Sequence, residues 1–234
     1  MPVQTYRYET HLHTSQGSAC AAASGKMMAI ACKEAGYSGI MVTDHFYYGN
    51  TAVARTLNWE DWVELFAKGY EQAKSTGDEI GLKVFFGWEA DYDGTEFLIY
   101  GPDKQWLLTH PEIRDASILE QYQMITQANG LIIQAHPFRK AEYIKKIRLF
   151  PEYVHGVEGI NATHSSPMSQ HHVQPEANTK AIEYANQYHL PITSGSDVHN
   201  TIMLGGGIET KEPLETVADY VELIKKKGDY SLLG

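Results

Sequence analysis

Potential metal ligands recur in closely spaced pairs, and the first pair is His11 and His13. Side chains of a strand alternate between its two faces, so residues i and i+2 point to the same side. Two neutral imidazoles on one face can chelate one cation through their ring nitrogens. Asp197 and His199 repeat this spacing with one oxygen and one nitrogen donor. The alternative for such a pair, taken alone, is two hydrogen-bonded histidines in the core.

Three further clusters add carboxylate and imidazole groups at the ends of apolar segments. Glu89 ends one such segment, where a carboxylate can bridge two cations about 3.5–4 Å apart. Asp44 and His45 offer a ligand beside a carboxylate that could orient it, although an aspartate there also fits a capping role. His136 ends the apolar run "LIIQA". Because burying so many ionisable groups without a metal would be costly, the clusters together predict a metal site.

Three other residues are candidates for contacts around that site. Arg139 follows His136 by three positions, and its planar, permanently charged guanidinium suits a phosphate or carboxylate. Its alternative is a solvent-exposed arginine. His164 follows the segment "GVEGIN" and is expected to contact a substrate or an outer metal. Cys20 could add a thiolate ligand, the alternative being a small buried residue.

The elements that must position these residues alternate between strand-like and helix-like segments. The six predicted strands are "YRYETHLH", "YSGIMVTDH", "LKVFFGWEAD", "LIIQAHP", "HGVEGIN" and "LPITSGSDVH". The segment "YDGTEFLIYG" is predicted to return antiparallel to the third strand through a hairpin at Asp93-Gly94. Predicted helices cover residues 24–35, 58–74, 117–129, 175–189 and 213–227. Repeated strand–helix units imply parallel strands, and six or seven units predict a closed α/β barrel. The carboxyl ends of its strands would form one mouth, where the clusters converge.

Composition excludes several classes of function. The 234 residues fit one α/β domain, spanning residues 1–234. A net charge of −10 argues against a long nucleic acid as partner, because a phosphate backbone needs a basic surface. Two cysteines are too few for a disulfide scaffold. Neither a signal peptide nor an apolar run of about 20 residues is present, which predicts a cytoplasmic protein without a membrane partner.

The ordered set of motifs resembles the PHP superfamily (polymerase and histidinol phosphatase). The motifs are His11-x-His13, Thr43-Asp44-His45, Glu89, His136-Pro137 and Asp197-x-His199. The resemblance implies a distorted (β/α)7 barrel that binds two or three divalent metal ions, Mn, Fe or Zn, at the C-terminal ends of its strands. It also implies ligands for a first metal (His11, His13, Glu89 and Asp197), a second (Glu89 and His136) and a third (His45 and His199).

Two positions depart from the pattern of this superfamily. Three-metal members often carry a histidine or aspartate a few residues after the first motif, where this chain offers only Ser18 and Cys20. Many members also carry a histidine on the strand after the glutamate, where this chain has Phe97. His110 and Asp91 are the candidate substitutes for that missing ligand.

The expected function is hydrolysis of a small-molecule phosphate ester, such as histidinol phosphate, a nucleotide or a sugar phosphate. The metals and Arg139 would hold the phosphate, a metal-bound hydroxide would attack phosphorus, and His199 or His45 would protonate the leaving group. One alternative is amidohydrolase-like hydrolysis at a carbon centre, which Glu89 at the bridging position disfavours. The other is a non-catalytic barrel with a degenerate metal site.

Overall fold

A mixed sheet of nine strands is the frame of the molecule. The computed structural model describes residues 4–234, apart from the side chains of residues 170 and 171, so residues 1–3 of the predicted domain lie outside it. The strands are β1 Tyr6–Leu12, β2 Gly39–Val42, β3 Lys83–Tyr92, β4 Thr95–Tyr100, β5 Leu131–Gln134, β6 Gly156–Asn161, β7 Ile192–Gly195, β8 Gly207–Thr210 and β9 Tyr230–Leu233.

The first seven strands curve into a nearly closed barrel. Strands β1, β2 and β3 are mutually parallel, as are β5, β6 and β7. Strand β4 runs antiparallel to both of its neighbours, β3 and β5. The ring closes where the His13 N–H donates to Val198 O at 3.0 Å, beside β1. Strand β8 pairs antiparallel with the first residues of β1, along the edge opposite to β2, and β9 pairs antiparallel with β8. The predicted α/β barrel is therefore confirmed.

The reversal at β4 comes from the predicted hairpin. Asp93 and Gly94 have φ values of +51° and +80°, the left-handed conformation that a two-residue type I′ turn requires. Asparagine, aspartate and glycine adopt this conformation most readily, and here Asp93 and Gly94 supply both central positions. As a result, the first residues of β4 lie beside the last residues of β3, at the mouth of the barrel.

Helices cover the outside of the barrel and largely follow the predicted segments. Those observed are α1 Gly25–Glu34, α2 Trp59–Phe66, α3 Lys68–Ile80, α4 Lys104–Thr109, α5 Ile118–Gln127, α6 Ala162–Ser165, α7 Pro175–Gln187 and α8 Val217–Lys225, with 3-10 turns at Pro111–Asp115 and Pro167–His172. The Ser24, Asn58 and Ser117 side chains cap α1, α2 and α5 by accepting backbone N–H groups. Across residues 4–234, no helix is long and apolar enough to cross a membrane.

Two helix predictions differ from the structure. The single helix predicted over residues 58–74 is two helices, α2 and α3, which meet at Ala67. Gly69 lies in the first turn of α3, where a Cβ would come 1.9 Å from Thr14 Oγ1, so this turn packs directly on the loop after β1. The last helix begins at Val217 rather than at residue 213, because Thr216 caps it.

An aromatic core anchors the strand that carries Glu89. Trp62 and Phe66 of α2 are buried and stacked, with ring centroids 4.7 Å apart, as their helical spacing predicts. They pack with Phe86 and Trp88 of β3 in one hydrophobic cluster. Removing a buried aromatic side chain of this kind typically costs about 3–5 kcal/mol. This packing fixes the position of β3, and therefore of Glu89, next to Trp88.

Candidate metal centre

The mouth of the barrel brings together the predicted metal ligands. His11 lies on β1 and His13 directly after it, β3 contributes Glu89, and the turns after β2, β5 and β7 contribute the others. Apart from His199, which is partly exposed, all are buried. The ligand atoms form four groups, each with all atoms within 4.8 Å of one another: His13, His45 and His199; His11, His13 and Glu89; His11, His136 and Asp197; and His45, Glu89 and Glu96.

The ligands implied for a first metal lie close together around the two histidines of the first motif. His11 Nε2 lies 3.1 Å from His13 Nε2, 3.3 Å from Glu89 Oε1 and 3.5 Å from Asp197 Oδ1. His13 Nε2 lies 3.2 Å from Asp197 Oδ1 and 3.6 Å from Glu89 Oε2. Tetrahedral ligands with bonds of about 2.1 Å are separated by about 3.4 Å. His11 and His13 therefore lie close to ligand spacing from each other and from both carboxylates.

Buried partners behind the two histidines fix which ring nitrogen faces the site. The Nδ1–H of His11 donates to Glu158 Oε1 at 2.8 Å. The Nδ1 of His13 lies 3.1 Å from Ser18 Oγ, and the Ser18 hydroxyl donates to Asp44 Oδ1, which makes His13 Nδ1 the donor. Nε2 of each ring then faces the site, where the neutral form of the ring would present its lone pair to a cation. Sequence reasoning did not include Glu158 among the site residues.

The environment of these two histidines shifts their protonation in opposite directions. Burial disfavours the charged form of His11, but Glu158, Asp197 and Glu89 outweigh it and hold the His11 pKa well above its usual value. Burial, reinforced by His45 and His199, holds the pKa of His13 well below its usual value. His13 is therefore neutral, whereas a cation that binds His11 must first displace a proton.

Asp44 has a different role from the one predicted. It was expected to orient His45, but its carboxylate accepts the backbone N–H and the hydroxyl of Thr14, each at 2.6 Å, together with the Ser18 hydroxyl at 2.7 Å. The His45 N–H donates to Ser18 Oγ at 3.0 Å. The Asp44 carboxylate therefore orders the loop after β1, and Ser18 links it to His13 and His45.

The ligands implied for a second metal lie beside the first group. His136 Nε2 is 3.1 Å from Glu89 Oε1 and 3.7 Å from Glu96 Oε2. His45 Nδ1 and Glu89 Oε2 form a buried ion pair at 2.8 Å. Glu89 thus contacts His136 through one carboxylate oxygen and His45 through the other. The backbone of His136 and Asp197 is also held at positive φ, +25° and +53°, which is typical of strained functional positions.

The third predicted pair, His45 and His199, stacks around His13. The ring of His13 lies 4.3 Å from that of His45 and 4.4 Å from that of His199, measured between centroids. Cys20 is exposed and lines the same cavity as both outer histidines. Although the residue is exposed, partial burial of its sulfur opposes ionisation, but hydrogen bonds from His199 and His45 lower the pKa of the Cys20 thiol to about 6. A thiol with such a pKa suits a metal ligand.

Arg139 lines a cavity of about 640 Å³ at the mouth, together with His45, Asp197 and His199. Its Nη1 lies 3.3 Å from Asp197 Oδ2, and its Nη2 donates to Glu96 and to the Tyr143 hydroxyl. The structure thus places the predicted anion-binding arginine beside the ligands, with its charge shared between two carboxylates. Glu96 was not among the predicted site residues.

Three weaker candidates lie outside the ligand groups. His164 is buried, its Nδ1 lies 3.2 Å from Asn178 Oδ1, and burial together with His136 lowers its pKa to about 4. It does not line the described cavity, so the structure gives no support for a direct substrate contact. His110 stacks on Trp106, and its Nδ1 donates to the Trp106 carbonyl. Asp91 accepts the Gly94 N–H at 3.2 Å, within the hairpin turn.

Comparison with known proteins gives one family match. Residues 175–227 match the family model described as PHP-associated. This segment runs from α7 into α8 and includes Asp197 and His199. No curated protein sequence matches the chain.

Several solved structures share the fold. A two-domain protein of Bacteroides vulgatus, which contains a predicted PHP-like metal-dependent phosphoesterase, gives a TM-score of 0.69 at 14% identity, over 98% of this chain and 64% of that one. A candidate metal-dependent phosphoesterase of Bifidobacterium adolescentis gives 0.57 at 15% identity, over 95% and 96%. An amidohydrolase of Chromobacterium violaceum, with bound sulfate and no metal, gives 0.54 at 13%, over 82% and 87%. This chain therefore spans less than two thirds of the first relative.

Proposed function

We propose that this chain is a member of the PHP superfamily and a metal-dependent hydrolase of small-molecule phosphate esters; its barrel and the match at residues 175–227 support the proposal. One observation carries the proposal: the buried Nε2 atoms of His11 and His13 lie within 3.6 Å of each other and of the Glu89 and Asp197 carboxylates, beside a cavity that Arg139 lines. The descriptions of two structural relatives as phosphoesterases support the choice of a phosphate ester.

The side chains of the site divide the chemistry between them. Divalent cations held by the ligands would supply positive charge to the phosphate oxygens and lower the pKa of a coordinated water. Arg139 would hold a further phosphate oxygen, for which its fixed fork of N–H donors is suited. The acidic net charge of the chain favours a small substrate over a long nucleic acid.

His199 is better placed than His45 to protonate the leaving group. Its side chain is 28% exposed, against 8% for His45, and its Nδ1 donates to the Asp197 carbonyl at 2.9 Å. Burial opposes its protonation, but Cys20 and Asp197 outweigh burial and raise the pKa of His199. The protonated ring can then give a proton from Nε2 to an alkoxide oxygen. His45, which faces Glu89, is better suited to hold a cation.

The experiment that tests this proposal is a phosphate-release screen over a library of phosphorylated metabolites with Mn²⁺ added. The wild-type chain should release phosphate from at least one member, and H11A/H13A should release none, because two of four ligands are lost. H110A is the matched control, since His110 lies outside the ligand groups. Full activity of the double variant, or a wild-type chain that binds no Mn²⁺ on titration, would contradict the proposal.

Hydrolysis at a carbon centre is the second candidate, because one structural relative is an amidohydrolase. Against it, Glu89 belongs to two of the ligand groups, as a bridging carboxylate would, and no lysine is among the described residues that line the cavity. Adding carboxamides and lactones to the same library distinguishes the two candidates. Cleavage of these compounds without any phosphate release would favour the second.

A further inference from the structure

The position of Glu96 follows from the direction of β4. Because β4 is antiparallel to β3, its first residues lie at the mouth, and Glu96 pairs with Asp91. Phe97, which the resemblance aligns with a metal-binding histidine, is fully buried and packs on the rings of Tyr92 and Phe150. Neighbouring residues of a strand point to opposite faces. The residue before Phe97 therefore faces the site.

The contacts of Glu96 are those of a metal ligand. Its Oε2 lies 3.7 Å from His136 Nε2, and its carboxylate groups with Glu89 and His45 within 4.8 Å. His45 and Glu89, whose Nδ1 and Oε2 atoms lie 2.8 Å apart, belong to this same group. Glu96 is 5% exposed, so its charge needs a compensating cation. In this structure that cation is the Arg139 guanidinium.

We propose that Glu96 is the missing protein ligand of a second divalent cation, bound together with Glu89 and His136, and that Arg139 competes with this cation for Glu96. The inference rests on the proposed metal-dependent function. When the cation binds, the Glu96–Arg139 ion pair must break, and Arg139 becomes available to a phosphate group. Metal loading would thereby prepare the anion site. Two carboxylates and one imidazole form a set that suits Mn²⁺.

The test is a Mn²⁺ titration of chelator-treated, full-length protein, with unbound Mn²⁺ measured by electron paramagnetic resonance. E96Q should bind one Mn²⁺ fewer per chain, or bind its weakest Mn²⁺ at least about tenfold less tightly. D91N is the matched control, because Asp91 lines the same cavity but accepts the Gly94 N–H. R139A should shift the affinity for the weakest Mn²⁺ in the opposite direction, towards tighter binding. Circular dichroism of each metal-free variant establishes that it is folded.

The outcomes separate this inference from the function on which it rests. A wild-type chain that binds no Mn²⁺ overturns both. A wild-type chain that binds Mn²⁺ and a folded E96Q variant that binds it equally well overturn only the role of Glu96. If D91N weakened Mn²⁺ binding as much as E96Q does, the loss of one negative charge would explain the E96Q defect, and the role of Glu96 as a ligand would be overturned. Weaker Mn²⁺ binding by R139A would overturn the competition between Arg139 and the cation.

Discussion

Replacing Glu158 by glutamine should weaken metal binding without removing a ligand. The Glu158 carboxylate accepts three N–H groups, from His11 Nδ1 at 2.8 Å, His136 N at 3.1 Å and Asn161 Nδ2 at 3.2 Å. A glutamine keeps one oxygen and presents an NH₂ group in place of the other. Because the backbone N–H of His136 cannot become an acceptor, the glutamine oxygen should face it. The NH₂ group then faces His11 Nδ1.

That orientation forces the wrong tautomer on His11. With a donor opposite Nδ1, the ring proton moves to Nε2, which is the atom that faces His13, Glu89 and Asp197. A cation must then bind against that preference. Changes to the partner of a ligating histidine typically cost about 10- to 100-fold in metal affinity. This corresponds to about 1.4–2.7 kcal/mol of binding free energy.

The assay is a Mn²⁺ titration of metal-free E158Q and wild-type protein, with thermal unfolding in chelator as a separate measure of stability. The control is E183Q, which neutralises an exposed acid of α7. Phosphate release at saturating Mn²⁺ should recover most of its wild-type rate, because all ligands remain. A folded E158Q protein that binds Mn²⁺ as tightly as wild type would refute the proposed orientation of His11.

Three further predictions follow from charges and pKa values. R139A should mainly raise KM for a phosphorylated substrate, and an unchanged KM in steady-state kinetics would exclude a direct contact. Mn²⁺ affinity should rise with pH, because His11 and His45 have raised pKa values and each must lose a proton before it binds the cation. Mn²⁺ titrations between about pH 6 and pH 8 measure this dependence, and an affinity that does not change with pH would contradict it. Burial and Lys225 lower the His155 pKa from 6.5 to about 4, so the free energy of unfolding should be fully retained above pH 6.5 and fall by at most about 3 kcal/mol as the pH drops towards 4. H155Q should flatten this part of a denaturation series, and profiles parallel to wild type would refute it.

The sequence indicates most of the site because parallel strands share an edge. His13, His45 and His136 follow β1, β2 and β5, three parallel-type strands whose carboxyl ends the barrel brings to one mouth. A residue that follows a parallel strand can therefore be placed at the mouth from the sequence, without any knowledge of the loop structures. The same reasoning fails for His164. This residue follows β6, but it lies in the short helix α6, where its side chain is buried beside His136.

The position at the end of a parallel strand does not identify Glu96 or Glu158 as site residues, for two different reasons. Glu96 stands at the start of its strand, so only the reversal at Asp93-Gly94 reveals that it lies at the mouth. The hairpin was predicted, but its consequence for residue order at the mouth depends on the register of β3 and β4. Glu158 lies inside "GVEGIN", and a carboxylate in an otherwise apolar buried strand is itself a signal, because it needs a buried donor.

In the loop after β1, the side-chain types alone do not decide whether Ser18 or Cys20 faces the outer histidines, His45 and His199. A serine hydroxyl has one donor and two acceptor positions. Ser18 uses all three, since it donates to Asp44 and accepts from His13 Nδ1 and from the His45 N–H. A cation could bind Ser18 only by breaking this network, which also holds His13 in its ligating tautomer. Cys20 lines the cavity, and its hydrogen bonds are with His45 and His199 themselves, so a third cation held by these two histidines would take the thiolate rather than the hydroxyl.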